Sequence, residues 1–175
     1  MQNNPAPVPG ETVDWSFVVD DGCPECGYEP HDVEDTSARI AAAAMKWRAV
    51  LERTDAAERP EPGVWSPVEY ACHVRDMLRL LGERVELMLT EENPLFGNWD
   101  QDKVAVEAGY YWADPAAVAA DLSAQANSAA AAVSGIDGVR WDRTGRRSDG
   151  VIFTVASLCR FTLHDAEHHL QDVHG

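Results

Sequence analysis

The sequence predicts an all-α protein: a four-helix bundle with one long crossover, preceded by an irregular N-terminal arm. Four segments rich in helix formers carry start and stop signals, and neither an internal repeat nor a strand–helix alternation interrupts them. A chain of 175 residues is long enough for one domain with a full core. We therefore expect the arm at residues 1–35 and a single bundle domain at residues 36–175.

The arm is rich in proline and glycine and lacks a sustained hydrophobic period, which favours irregular structure. It nevertheless contains a short apolar cluster that can dock on the bundle. The cluster consists of Trp15, Phe17, Val18 and Val19.

The first two helices have clear boundaries. The first begins at candidate N-caps between Asp35 and Ser37 and ends before Pro60. The second begins after Ser66, with Pro67 at its first position and Glu69 completing a capping box, and continues to about residue 89.

A connection from residue 90 to residue 114 separates the second and third helices and is unusually aromatic. The third helix begins after Asp114 and Pro115 and ends before Gly135. A turn at Asp149 and Gly150 predicts a short hairpin, after which the fourth helix spans about residues 154–173.

Composition limits the function. The formal charge is −16, which repels phosphate backbones and anionic lipid surfaces, so we expect no nucleic-acid or membrane partner. No apolar run is long enough to cross a membrane and no signal peptide begins the sequence, so we expect a cytoplasmic protein. The remaining partners to consider are a small-molecule substrate and a second copy in a homodimer.

Four of the six histidines lie in the last thirteen residues. His164 and His168 are four residues apart, a spacing that lets two imidazoles on one helix face share a divalent ion. His169 lies about 100 degrees further round the helix and cannot join them without distortion. His73 is the only other histidine within a predicted helix and is the candidate third ligand. The alternative is that His164 and His168 face water, opposite the apolar stripe of their helix.

The arm contains a second candidate site, because Cys23 and Cys26 form a CxxC motif between two glycines. A closed zinc site needs four ligands, and no second CxxC motif exists, so Cys72 or Cys159 would have to contribute. The other interpretations are a redox dithiol and a plain turn with two free thiols.

Two segments resemble the DinB/YfiT-like proteins. Residues 65–73, WSPVEYACH, resemble the start of that family's second helix, and residues 164–171, HDAEHHLQ, resemble its last-helix H-x-x-x-H-x-x-Q pattern. The order of helices, the long connection and the turn-rich segment before the last helix also agree. The resemblance covers about residues 36–173, although His169 and Leu170 stand where the family usually has a basic or small residue.

The resemblance implies an up-down-down-up bundle with a divalent metal, often zinc or nickel, held by His73, His164 and His168. It also implies a thiol-dependent transferase or isomerase acting on a small electrophile, since family members include S-transferases and an isomerase that uses the low-molecular-weight thiol mycothiol. The alternative is a non-catalytic bundle that binds a metal or a small molecule. An open coordination position would favour the enzyme, and a fourth protein ligand would favour the structural role.

Overall fold

Four long helices form the bundle, as the sequence predicted. The computed structural model describes residues 5–10 and 12–175. The helices are α1 (Val18–Asp21), α2 (Thr36–Leu51), α3 (Pro67–Thr90), α4 (Gln101–Glu107), α5 (Pro115–Val133) and α6 (Val155–Asp172). The strands are β1 (Leu95–Phe96), β2 (Thr144–Arg147) and β3 (Ile152–Thr154). The long helices α2, α3, α5 and α6 are the four predicted ones.

Capping residues explain where the main helices begin. The predicted capping box of α3 is present, with the Ser66 side chain accepting from the Glu69 backbone and Glu69 reaching back to the Ser66 backbone. A second capping box, formed by Thr154 and Ser157, starts α6. The Asp114 side chain caps α5, which therefore begins at its proline as expected.

Contacts between the helix ends give the bundle its predicted up-down-down-up order. Val68, at the start of α3, donates a backbone hydrogen bond to Ala56, just after α2, so α2 and α3 are antiparallel. Arg53, which follows α2, donates to the carbonyl of Val173 at the end of α6, so these two helices are parallel. Gly82 lies against Ala129, which places the later part of α3 beside the later part of α5.

The connection between α3 and α5 is not a bare loop. It contains β1, α4 and a turn of 3₁₀ helix at Tyr110–Trp112. Strand β1 pairs in parallel with β2, and β2 pairs antiparallel with β3 through the predicted hairpin. Gly145 is required in β2, because a Cβ there would lie 2.6 Å from a ring carbon of Phe96 and 2.8 Å from Cγ of Met88. Among the residues that the structure describes, no helix is both long and apolar enough to span a bilayer.

The arm packs along α6 and has little regular structure. Val18, Cys23 and Tyr28 are buried in a small apolar cluster of their own, against Trp15 and Phe161. Hydrogen bonds add to this packing: the Tyr28 hydroxyl donates to the carbonyl of Arg160 at 3.1 Å, and Gln171 donates to the carbonyl of Cys26 at 2.9 Å. The arm is therefore attached to the last helix between Trp15 and His31.

His31 closes the arm against α2. Its Nδ1 lies 3.0 Å from the Tyr28 hydroxyl, and its Nε2 lies 2.8 Å from Oγ1 of Thr36. Burial, together with the nearby charges of Arg39 and Arg160, lowers the pKa of His31 to about 4. The folded arm therefore holds a neutral imidazole.

This burial predicts that stability falls in mild acid. The unfolded chain protonates His31 near pH 6.5, whereas the folded chain does so only near pH 4, so the unfolded state binds more protons in between. His31→Gln should flatten the decrease in unfolding free energy between pH 6.5 and pH 4, by at most about 1.4 kcal/mol per pH unit. Denaturant unfolding in metal-free buffer measures this slope. His174→Gln, at an exposed histidine, is the control, and equal slopes for all three proteins would contradict the prediction.

Candidate metal centre

Helix α6 presents its polar side chains in two directions. His164 and His168 face the arm, and Trp15 packs on their rings at centroid distances of 5.5 and 5.1 Å. Asp165 and His169 are also four residues apart but lie one step round the helix, where they meet His73 of α3. The histidine-rich end of the chain therefore contributes to two clusters of potential ligands.

The first cluster joins α6 to the CxxC turn of the arm. It consists of Cys23, Cys26, His164 and His168, whose donor atoms all lie within 4.8 Å of one another. Sγ of Cys23 is 3.8 Å from Nδ1 of His168. Burial, followed by the neighbouring His168, lowers the pKa of His164 to about 4. The cluster thus brings together two thiols and two imidazoles, one of them neutral.

The second cluster joins α6 to α3. Nε2 of His73 lies 2.8 Å from Oδ2 of Asp165, and Nε2 of His169 lies 3.5 Å from Oδ1 of the same carboxylate. Nδ1 of His169 lies 2.7 Å from Oδ2 of Asp172, which leaves Nε2 turned towards Asp165. Two imidazole nitrogens and one carboxylate therefore meet between the helices.

The second cluster favours charged side chains of opposite sign. Burial opposes ionisation of Asp165, but His73 and His169 outweigh it and hold the pKa of Asp165 well below its usual value. Burial likewise opposes protonation of His169, but Asp165 and Asp172 raise the pKa of His169 to about 9. Trp99 stacks on His73 with ring centroids 5.3 Å apart, so a large apolar ring covers the imidazole.

A cavity of about 570 Å³ opens beside α6. Asp165 and His169 of the second cluster form part of its wall, and so do His164 and His168 of the first. Arg84, Arg147, Trp99 and Trp15 also line it, so α3, the α3–α5 connection, the hairpin and the arm all contribute. The volume is in the range of small-molecule sites.

The three histidines proposed as ligands from the sequence are divided between these clusters. His164 and His168 are together, with ring centroids 5.2 Å apart, as their spacing predicted. His73 is grouped with Asp165 and His169. The sequence predicted that one ion is held by all three histidines. In the structure His73 lies with Asp165 and His169, whereas His164 and His168 lie with two cysteines. That each of the three binds a metal stays a prediction.

Most of the acids near these histidines have other partners. Glu69 is buried in the α3 capping box and pairs with Arg59. Asp76 pairs with Arg75 and accepts a short hydrogen bond from the Tyr110 hydroxyl. Glu167 pairs with Arg39. These acids hold the fold together, and Asp165 is the one that enters a cluster.

Cys72 and Cys159 do not complete the CxxC cluster. Both thiols are buried in the hydrophobic core, and burial raises the pKa of each to about 12. The side chains that lie beside Cys23 and Cys26 are instead the two histidines of α6, about 140 residues later in the chain.

One signal could have identified the second cluster from the sequence. In HDAEHH, the pair Asp165 and His169 has the same four-residue spacing as His164 and His168. His169 also stands at the position where the chain departs from the usual pattern of the family it resembles. If the four-residue pattern is placed one residue later in the sequence, its two positions are Asp165 and His169 instead of His164 and His168.

The comparisons with known proteins agree with this architecture. The sequence matches the family model of the DinB superfamily over residues 39–173. No curated protein matches the chain. A solved structure of similar fold is YfiT from Bacillus subtilis, described as a probable metal-dependent hydrolase with an unusual four-helix bundle topology. It is 19% identical, with a TM-score of 0.72, and the match covers 83% of this chain and 91% of YfiT.

Proposed function

Because this chain belongs to the DinB superfamily, we propose that it is a metal-dependent enzyme whose divalent ion is held by His73, Asp165 and His169. The observation that carries the proposal is the position of this cluster. Three donor groups converge from two helices, and two of them border a cavity large enough for a substrate. An open position beside a cavity is the arrangement of a catalytic rather than a structural metal site.

The donor groups fit a divalent metal, which on binding would displace the proton that the raised pKa of His169 otherwise keeps on its ring. Ligands bound at about 2.1 Å in tetrahedral or octahedral geometry lie roughly 3.0 to 3.4 Å apart. The two nitrogen–oxygen distances to Asp165 are 2.8 and 3.5 Å. Zinc and nickel both suit a set of two imidazoles and one carboxylate. The hydrogen bond that Nδ1 of His169 donates to Asp172 is the outer contact that commonly orients a metal-bound imidazole.

A bound ion would act as a Lewis acid that favours the deprotonated form of water or a low-molecular-weight thiol such as mycothiol. The side chains around the cluster orient and shield the ligands. Asp172 fixes the ring of His169, and the Trp99 ring shields His73 from solvent. The resulting chemistry is attack by a small nucleophile on an electrophile bound in the cavity.

Arg84 gives the cavity a local site for the anionic group of an electrophile. Five aspartates line the cavity beside Arg84 and Arg147, so the preference for an anion rests on Arg84 and not on the charge of the cavity as a whole. Burial, followed by the charge of Arg147, lowers the pKa of Arg84 to about 10. Arg147 pairs with Asp149, whereas no carboxylate in the described part of the chain lies within ion-pair distance of Arg84. A carboxylate of the substrate would supply that partner.

With a thiol as the nucleophile, the enzyme is a transferase or an isomerase, and with water it is a hydrolase. The resemblance noted in the sequence supports the thiol, and the description of YfiT supports water. We propose the thiol-dependent reaction first, with hydrolysis as the outcome that the assay below distinguishes. We further propose a cytoplasmic protein that binds neither nucleic acid nor membranes, and a homodimer is compatible with this function.

The non-catalytic alternative also has an observation in its favour. The cluster of Cys23, Cys26, His164 and His168 offers four protein ligands, and a site closed by four protein ligands has a structural role. If only this cluster bound a metal, the protein would be a metal-stabilised bundle without the proposed activity.

Replacing His169 with Ala tests the catalytic cluster. Loss of one of three ligands should abolish turnover and remove the ion at this cluster, while the helical content measured by circular dichroism stays unchanged. Turnover of small anionic electrophiles should be measured with added zinc or nickel, with and without a low-molecular-weight thiol. Asp172→Asn should weaken metal affinity by about 10- to 100-fold, because it disturbs only the orienting contact.

His174→Ala is the matched control, since it removes an exposed histidine outside both clusters. Full activity in His169→Ala, or activity that survives removal of all metal from the wild type, would disprove the proposal. Product formed without thiol would assign the enzyme to the hydrolases.

Replacing Arg84 with Gln tests the charge of the substrate. We expect KM for an anionic substrate to rise by about 10-fold, the effect of one lost charge-assisted hydrogen bond, with a smaller change in kcat. A neutral ester of the same substrate should show little change. Arg79→Gln, at a half-buried arginine of the same helix that is paired with Glu83 and lies outside the cavity, is the control. Equal effects on the acid and on its ester would contradict an anionic substrate.

A further inference from the structure

We propose that Cys23, Cys26, His164 and His168 bind one zinc ion in a closed Cys₂His₂ site, separate from the His73 cluster, and that this ion fastens the N-terminal arm to α6. The site would have no open position for a substrate, and its role would be structural. The proposal goes beyond the enzymatic function above and does not depend on it.

The geometry is close to that of a tetrahedral zinc site. With zinc–sulfur bonds of about 2.3 Å and zinc–nitrogen bonds of about 2.0 Å, the ligand atoms of such a site lie roughly 3.3 to 3.8 Å apart. The distance between Sγ of Cys23 and Nδ1 of His168 is 3.8 Å, and no two ligand atoms are separated by more than 4.8 Å. Movements of about 1 Å would complete the coordination.

A buried nitrogen without a partner points independently to a ligand. Nε2 of His164 is inaccessible to solvent and makes no hydrogen bond, and the residue is only 3% exposed. An unsatisfied buried polar atom destabilises the folded state, and such atoms call for a specific explanation. A metal ion that accepts the lone pair of this nitrogen would satisfy it.

The backbone of the CxxC turn is already arranged around the two sulfurs. Gly22 and Gly27 have φ angles of 75° and 72°, which favour glycine, so the turn depends on the two residues that flank the cysteine pair. The backbone N–H of Gly27 donates to the carbonyl of Cys23, and Cys23 pairs with Tyr28 in a short antiparallel bridge. The C-x₂-C and H-x₃-H spacings are those of Cys₂His₂ zinc sites.

Charge and chemistry favour zinc over a redox pair. Two thiolates and two neutral imidazoles around Zn²⁺ give a site with no net charge, which suits a largely buried position. Both cysteines are free thiols in the structure. A disulfide between them would leave Nε2 of His164 without a partner, whereas zinc would use all four side chains.

The ion would also shape the proposed active site. Trp15 packs on the rings of His164 and His168 and at the same time lines the cavity beside Asp165 and His169. Fixing the two histidines would therefore fix the wall of the cavity that the arm supplies.

Cobalt substitution tests the site directly. Wild-type protein loaded with Co²⁺ should show a thiolate-to-cobalt charge-transfer band and the intense visible bands of tetrahedral cobalt, and zinc should displace both. The double variant Cys23→Ala and Cys26→Ala should lose the charge-transfer band and about one equivalent of zinc per chain. Its matched control, Cys72→Ala with Cys159→Ala, should keep both. Absence of the band from the wild type would overturn the proposal.

His73→Ala separates this site from the enzymatic one. It should lose the ion of the second cluster and keep the thiolate-to-cobalt band unchanged. Loss of the band in His73→Ala would show that the histidines share a single site and would overturn the proposal, even if the protein proves to be an active metal-dependent enzyme.

Alkylation of the wild type gives a test that does not depend on the folding of any variant. Under reducing conditions, N-ethylmaleimide should modify Cys23 and Cys26 at least 10-fold faster after zinc is removed by a chelator than in zinc-loaded protein. Cys72 and Cys159 serve as internal standards, because both stay buried in the core. Equal labelling of Cys23 and Cys26 with and without zinc would overturn the site.

Discussion

The period of the α-helix is the constraint on which the arrangement of this protein depends. Consecutive residues of α6 differ in direction by about 100 degrees, so the pair His164 and His168 and the pair Asp165 and His169 cannot serve the same ion without distortion. Each pair has partners from a different part of the chain. Helix α3 places His73 beside Asp165 and His169. The arm places Cys23 and Cys26 beside His164 and His168.

The arm is therefore more than an extension of the bundle. Without it, the imidazoles of His164 and His168 would lie on the surface of α6, opposite its apolar stripe. With it, His164 is buried beside Tyr28 and Trp15, at ring-centroid distances of 5.4 and 5.5 Å. Burying an imidazole nitrogen without a hydrogen bond is unfavourable, so a segment that covers these rings must offer compensation. Apolar packing supplies part of it, and the thiols are placed to supply the rest through a shared ion.

The sequence was sufficient to predict the helices because their starts are determined locally. Capping residues and prolines determine where α3 and α5 begin, a glycine follows the end of α5, and Asp149 with Gly150 marked the hairpin. The end of the first long helix was placed too late, before Pro60, whereas α2 ends at Leu51. The clusters depended on information that a helical wheel lacks. A wheel gives the angle between His168 and His169, but not which of the two faces α3. The partners of Cys23 lie far along the chain, so no local spacing could reveal them.

The two proposed sites would divide stability and chemistry between neighbouring positions of one helix. Four protein donors around an ion leave no position for a substrate, whereas three donors beside a cavity do. Because His168 and His169 are adjacent, any shift of α6 that improved one site would disturb the other. A closed site that holds α6 and the arm in register would therefore also keep His169 in register with His73. The rigidity of the first cluster would then be a condition for the precise geometry that the second cluster requires for catalysis.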